Sequence, residues 1–299
     1  VMVGFAVHLT GPGSVERFWK VAIWSAVCLS VLLIHRYAWM FGATFLGSEF
    51  DFPVSNGRNQ LGGYLAYLAL YASALCYFQP GRWRSYPPVV VLAVAIIYTG
   101  SRGAQLAVLL GLVVILVTVL FRLNARRVLL TTAVTVSLTW LVLYGVESVV
   151  GPLDAWRRLW YLVDPASVPE LRSYEVRVAY IAEALDCSRN ARFVGMGLGE
   201  ALACRRGVGV HNVFISLLVD FGILGLANFL LLLGVAAWRL FVRPPGVMKS
   251  YPWLLAGARG SFVAVCVFMN TLDGVHNSPL FWLTLGMAFL PDSAESVHK

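Results

Sequence analysis

The chain has 299 residues, 59% of them apolar and only 13% charged, with a mean hydropathy of +0.75. Soluble domains carry about one quarter charged residues, so this chain cannot cover a water-facing surface, which excludes soluble enzymes and soluble binding domains. The net charge of +8 comes from short basic clusters between apolar runs, the pattern that orients membrane proteins, and no basic stripe of the nucleic-acid-binding kind is present.

A bilayer core needs ~20 apolar residues per helix. Eight segments read as spans, at roughly 19–37, 61–79, 87–101, 103–121, 128–146, 212–238, 253–270 and 276–290. The third, fourth and last are short, as tilted or broken helices are. The predicted fold is all-α and polytopic, a single membrane domain over 1–299, with residues 147–210 as one large loop containing helices between spans five and six.

Nothing at the N-terminus reads as a cleaved signal peptide. Arg17 and Lys20 precede the first span, and Arg82 and Arg84 separate the second from the third. Arg122, Arg126 and Arg127 follow the fourth, and Arg239, Arg243 and Lys249 follow the sixth. All four clusters fall on one side, cytoplasmic by the positive-inside rule, and both termini are expected there. The opposite side receives a loop near residues 38–60, the turn Thr99-Gly100-Ser101-Arg102-Gly103 and the long loop, whose arginines and acids balance.

Arg102 is the first candidate for chemistry. It occupies an outer turn where the charge rule disfavours a cation, and Ser101 can cap the helix that follows. It is either an arginine snorkelling to lipid headgroups or an anion-binding group at the membrane surface. Arg177 lies in an amphipathic helix, Ser173–Leu185, where Val176, Tyr180 and Ala184 recur at helical spacing. Arginines are common on solvated helices, so alone it says little.

His211 and Asn212 open the sixth span after Gly207-Val-Gly-Val210. The positive end of a helix dipole favours a neutral imidazole, able to accept a proton as a general base must; the plain alternative is an interface histidine without a role. Gly222 and Gly225 share the histidine's face and permit close helix packing. Counted along a straight helix at ~1.5 Å per residue, Asp220 is expected ~13 Å into the span, in a packing or ion-pair role.

The run Gly195-Met-Gly-Leu-Gly199 has no strand–helix alternation around it. It reads as a backbone turn able to bind an anion through its amides and not as a dinucleotide fingerprint. Cys28, Cys76 and Cys266 fall in spans as apolar fillers, whereas Cys187 and Cys204 both fall in the outer loop, where a disulfide between them is predicted. No metal-ligand spacing appears.

Taken together, these motifs are similar to those of bacterial O-antigen ligases and their polymerase relatives. His211-Asn212, nine residues, then Gly222-Ile-Leu-Gly225 resembles the ligase signature. Arg58-Asn59-Gln60-Leu61, Thr99-Gly-Ser-Arg-Gly103 and Arg177 followed by Gly195-Met-Gly-Leu-Gly199 agree in order, over about residues 50–290.

The resemblance implies a periplasm-facing glycosyltransferase of the bacterial inner membrane, metal-independent and without a cofactor. Its donor would be a polyprenyl-pyrophosphate-linked glycan, and its acceptor lipid A-core or a growing glycan. Arg102 and Arg177 stand at positions that grip the donor pyrophosphate, His211 where the acceptor hydroxyl is activated, and Asn212 beside it at the substrate. Asp273, between the last two spans, matches a late acidic residue of some ligases. Such proteins usually have ten to twelve spans, so eight implies a short or truncated member. A polymerase joining repeat units is the alternative within this resemblance. A transporter or non-catalytic scaffold is the alternative outside it, weakened because the chain shows no internal repeat and only Asp220 at depth.

Overall fold

A computed structural model of the chain describes residues 12–40, 58–79, 83–99, 101–150, 171–191, 193–200, 212–270 and 279–290. Among these residues no strand is found, and the elements are helices: α1 (Pro12–Met40), α2 (Arg58–Phe78), α3 (Tyr86–Thr99), α4 (Arg102–Leu120) and α5 (Ala125–Val150). They continue as α6 (Leu171–Cys187), α7 (Val213–Phe241), the short α8 (Gly246–Ser250), α9 (Pro252–Phe268) and α10 (Pro279–Ala288). Each of the eight expected spans coincides with one of these helices. Five stretches are long and apolar enough to cross a bilayer unaided, namely 13–35, 59–78, 102–120, 125–145 and 213–250, while 83–99 and 252–268 are shorter apolar helices. The protein is an all-α multi-pass membrane protein.

The bundle is built around α2, which packs against α3, α4 and α9. Lipid tails are as apolar as leucine, so close backbone approach takes over the role that hydrophobic exclusion has in water. Gly111 of α4 and Gly260 of α9 show it: a methyl on either would come within 2.8 Å of the other's carbonyl oxygen. Helix α1 docks through Trp19, whose ring stacks on Tyr71 of α2 at 3.8 Å between centroids. The outer helices expose apolar side chains such as Leu109, Val113, Leu129, Trp140 and Leu231, as a lipid-facing surface requires.

The two ends of the bundle differ in charge. Arg84, Arg122, Arg126, Arg127, Arg239, Arg243 and Lys249 lie beside the start of α3, the α4–α5 turn and the α7–α9 connection. Two buried-side arginines also close helix C-termini, where carbonyls lack partners and the dipole is negative. Arg259 of α9 donates through Nε to the Leu240 carbonyl (2.9 Å), and Arg239 donates to the carbonyls of Ala288 (3.2 Å) and Leu290 (3.0 Å).

One element departs from the straight span expected over 212–238. Inside α7, Gly222 has φ 65° and ψ −168°, which no helix accommodates. A straight helix would hold Phe214 and Phe229 ~22 Å apart, yet their rings meet edge to face at 6.1 Å. Helix α7 is therefore two arms, 213–221 and 223–241, folded towards each other, and Phe281 of α10 stacks on Phe229 of the second arm at 5.8 Å. Asp220 sits at this bend, so its distance along the helix from residue 211 is not a depth in the bilayer.

Placing a side chain at the α4–α9 crossing tests the packing. Gly260→Val should lower stability by about 1–3 kcal/mol, the usual effect of overpacking. It should be read as a lower thermal unfolding midpoint in detergent, with Gly145→Ala, where a methyl meets nothing within 4 Å, unchanged.

Candidate functional site

The end of the bundle opposite the basic clusters gathers the motifs that the sequence singles out. Arg102 is the first residue of α4, and Ser101 is its N-cap, accepting a hydrogen bond from the Ala104 amide at 3.3 Å. Thr99 closes α3 by donating to the Ile96 carbonyl (2.7 Å) and accepts from the Ser101 amide (3.3 Å). The Thr99–Gly103 turn is thus pinned by its own hydroxyls, with Thr99 and Ser101 buried and Arg102 half-buried. The start of α2 lies directly against it, since a methyl on Gly62 would fall 2.9 Å from Ser101 Cβ and 3.0 Å from Ala104 Cβ. This brings the Arg58-Asn59-Gln60 turn to the Arg102 turn, although the Arg58 side chain itself is outside the described residues.

A second joint ties α7 to the same end. Gly63 of α2 lies against the Phe268 ring at the end of α9, and the next residue, Met269, accepts a hydrogen bond from the Val213 amide at 2.9 Å. Asn212 is the N-cap of α7, its Oδ1 accepting from the Ile215 amide at 3.1 Å. Its Nδ2 donates to Asn270 Oδ1 at 3.4 Å, and Asn270 donates in turn to the Cys266 carbonyl at 3.0 Å. The Asn212 entry is therefore anchored to α9, which packs on α2 and α4, the helix that begins with Arg102.

Helix α6 brings Arg177 to this region. Ile181 and Ala184 pack with Ile215 and Val219 of the first α7 arm, and Arg177 lies one turn before Ile181. The Arg177 side chain, His211, Asp273 and Cys204 lie outside the described residues. Cys187 is disulfide-bonded, whereas Cys28, Cys76 and Cys266 are free.

The two glycines of the Gly222-Ile-Leu-Gly225 run do not face a neighbouring helix. A side chain on Gly222 would overlap the Phe193 carbonyl of the preceding loop, and one on Gly225 would overlap Phe221 across the bend. Their role is the bend itself. Likewise Gly195, Gly197 and Gly199 have φ of 81°, 121° and 86°, which makes Gly195–Gly199 the backbone turn expected of it. The amides of Met196 and Gly197 are not turned to an anion, because they donate to the Val219 and Asp220 carbonyls at 2.9 and 3.0 Å.

Sequence reasoning missed Gln105. One turn into α4 from Arg102 it is 5% exposed, and neither its amide oxygen nor its nitrogen has a hydrogen-bond partner among the described residues. A glutamine in an apolar helix carries no positional signal by itself. Further along the same stripe of α4, Val108, Leu112 and Leu116 line an apolar cavity of about 320 Å³ between α2, α3, α4 and α5, whose other walls include Ser73, Thr132 and Trp140.

Residues 87–230 match the family described as O-antigen ligase. This stretch belongs to the O-antigen ligase superfamily. No curated protein matches the chain. The ligase-family stretch runs from α3 into the second arm of α7, so it contains Arg102, Arg177, the Gly195–Gly199 loop, His211, Asn212 and the Gly222–Gly225 bend. Arg58 and Asp273 fall outside it. The match supports a membrane glycosyltransferase activity of the O-antigen ligase and polymerase type, and with the membrane helices it supports a part in O-antigen and lipopolysaccharide biosynthesis.

The Asn212 joint can be checked separately from activity. Asn212→Ala removes both the cap and the bond to Asn270 and should cost about 1 kcal/mol, the usual value of an N-cap. Asn212→Ser keeps the cap acceptor and should recover most of that loss, both measured as thermal unfolding midpoints in detergent.

Proposed function

We propose that the protein transfers a glycan from a polyprenyl-pyrophosphate carrier to an acceptor hydroxyl, with lipid A-core as the acceptor. The observation that supports this reading most is the meeting, at one end of the bundle, of the Arg102 turn and the Asn212 entry that follows His211. On this reading the membrane is the bacterial inner membrane, and by the positive-inside rule its cytoplasmic side takes the basic end and its periplasmic side the Arg102 end. Both termini are then cytoplasmic.

In the proposed reaction the acceptor oxygen attacks the anomeric carbon of the donor sugar from the face opposite the pyrophosphate. The carbon–oxygen bond to the pyrophosphate breaks, the configuration at carbon inverts, and polyprenyl pyrophosphate leaves. His211 takes the hydroxyl proton. Arg102 and Arg177 stabilise the negative charge developing on the leaving group through charge-assisted hydrogen bonds, a task that divalent ions perform in many nucleotide-sugar enzymes. Asn212 and Asp273 orient the acceptor. The apolar cavity beneath Arg102 and Gln105 suits the isoprenoid chain, which must stay in hydrocarbon while its pyrophosphate reaches the surface. Gln105, with an unsatisfied amide at the top of that stripe, is suited to bond the donor where chain and pyrophosphate join.

A polymerase that joins repeat units on the carrier would use the same arginines, and the His211-Asn212 signature favours the ligase. Purified protein in lipid nanodiscs, given polyprenyl-pyrophosphate-linked glycan and lipid A-core, should produce a shifted lipid A-core band on a gel. A ladder of longer carrier-linked glycans would establish the polymerase instead. Arg102→Ala, Arg177→Ala and His211→Ala should each reduce transfer by about 10²-fold or more, the range for losing a transition-state donor or a general base. EDTA should leave the rate unchanged. Transfer retained in all three variants would defeat the assignment of these residues. Gln105→Leu removes a buried, unsatisfied amide, so it should raise the thermal midpoint while it lowers transfer; a gain in stability with full transfer would remove Gln105 from the site.

A further inference from the structure

Three of the backbone groups around Gly222 have exchanged partners. In an unbroken helix the Val219 carbonyl would accept from the Ile223 amide and the Asp220 carbonyl from the Leu224 amide. Here the Met196 amide donates to Val219 (2.9 Å), the Gly197 amide donates to Asp220 (3.0 Å), and the Leu224 amide donates to the Phe193 carbonyl (3.4 Å). The glycine loop therefore supplies, from outside, the hydrogen bonds that the bend takes from the helix.

The fit is made backbone to backbone. A Cβ on Gly195 would overlap the Asp220 carbonyl, and one on Gly222 would overlap that of Phe193. Both residues also have positive φ, 81° and 65°, so no other residue type meets both demands. The loop is closed on itself by the Gly195 amide donating to the Ala191 carbonyl at 2.7 Å. Behind it, Cys187 is disulfide-bonded, and its Sγ lies 3.9 Å from Met196 Sδ.

We infer that residues 193–197 latch the bend at Gly222, with Gly195 of the loop and Gly222 of α7 as positioning residues that fix the angle of the first α7 arm and so the place of the residues at its start. This rests on the proposed function for its catalytic meaning. The arm is held at both ends: Val213 and Asn212 are bonded to Met269 and Asn270, and Val219 and Asp220 are bonded to the latch. His211 immediately precedes Asn212, so a change of angle at Gly222 is carried along the arm to the proposed base. The arginine on α4 is untouched by such a change, because its turn is pinned by Thr99, Ser101 and Gly62. A loosened latch should therefore spoil the proton transfer while leaving the donor grip in place.

The experiment uses the full-length protein in nanodiscs and has two readouts. The first is kinetic, with Gly195→Ala and Gly222→Ala compared to Gly234→Ala, a glycine of the same helix where a methyl meets nothing within 4 Å. Misplacement of a reacting group by about 1 Å can cost on the order of 10²-fold, so kcat should fall by roughly that factor in the first two while the donor KM stays within about twofold. Gly234→Ala should match the parent. The second readout is geometric and independent of transfer. Phe214→Cys/Phe229→Cys is treated with a short bifunctional thiol reagent that spans the folded-back arms but not the ~22 Å of a straight helix. It should cross-link in the parent and fail to do so when Gly222→Ala is added.

Cross-linking retained with Gly222→Ala would overturn the latch. Cross-linking lost with kcat unchanged would overturn its positioning role. A parallel rise in donor KM would also overturn it, showing that the latch serves general folding and not the base alone. A parent that cross-links but transfers nothing would strike the proposed function, and the dependence of cross-linking on Gly222 would still decide the latch.

Discussion

The architecture depends on one exchange of backbone hydrogen bonds. A carbonyl left without a donor near the hydrocarbon region costs several kcal/mol, so a long apolar helix can bend sharply only where another segment meets the freed groups. At Gly222 that segment is the loop after α6, which answers Val219 and Asp220 with the amides of Met196 and Gly197. The bend in turn lets Phe214 of the first arm reach Phe229 of the second, which stacks on Phe281. It also turns the first arm so that Ile215 and Val219 present an apolar stripe to α6. Without the loop the bend would be unsatisfied, and without the bend the first arm would not meet Ile181 and Ala184 of α6 in this way.

The spans were legible because the bilayer imposes a single strong demand on composition. An uninterrupted apolar stretch such as 103–121 or 128–146 has few structures open to it other than a helix; α4 occupies the first almost residue for residue, and α5 covers the second with about a turn more at each end. The cap at Ser101 was legible for a similar reason, since a hydroxyl before a helix has one obvious use. The bend was not. Gly222-Ile-Leu-Gly225 sits in an apolar run and looks like a small-residue packing motif. Only the partner loop distinguishes a kink from a crossing, and that loop lies about twenty-five residues upstream. The same oversight placed Asp220 deep in the bilayer, because distance along a helix equals depth only while the helix is straight.

The glycine loop illustrates how one signal carries different meanings. Three glycines in five residues announce positive φ and close backbone approach, and both are present. What a composition argument cannot say is what approaches. An anion and a carbonyl oxygen make the same demand on an amide, and here the carbonyls of a broken helix take the amides of Met196 and Gly197. Gln105 presents the opposite case, a polar group with chemistry available and no neighbour among the described residues to use it.

The two halves of the site rest on supports of unequal stiffness. The Arg102 turn is held by side-chain hydroxyls within one turn of the chain and by Gly62 pressed against it, at the start of a helix packed glycine to glycine with α9. The Asn212 entry is bonded to Met269 and Asn270, and the nine-residue arm that it begins takes its direction at the other end from one loop and one glycine. On the proposed reading, the donor is gripped by the rigid part and the acceptor is met by the adjustable part. That division suits the chemistry: a pyrophosphate on a polyprenyl carrier is a fixed shape, while the acceptor arrives as a large glycolipid that must fit beside it. On the same reading, the arm and its loop could be altered to suit a different acceptor without disturbing the turn that holds Arg102.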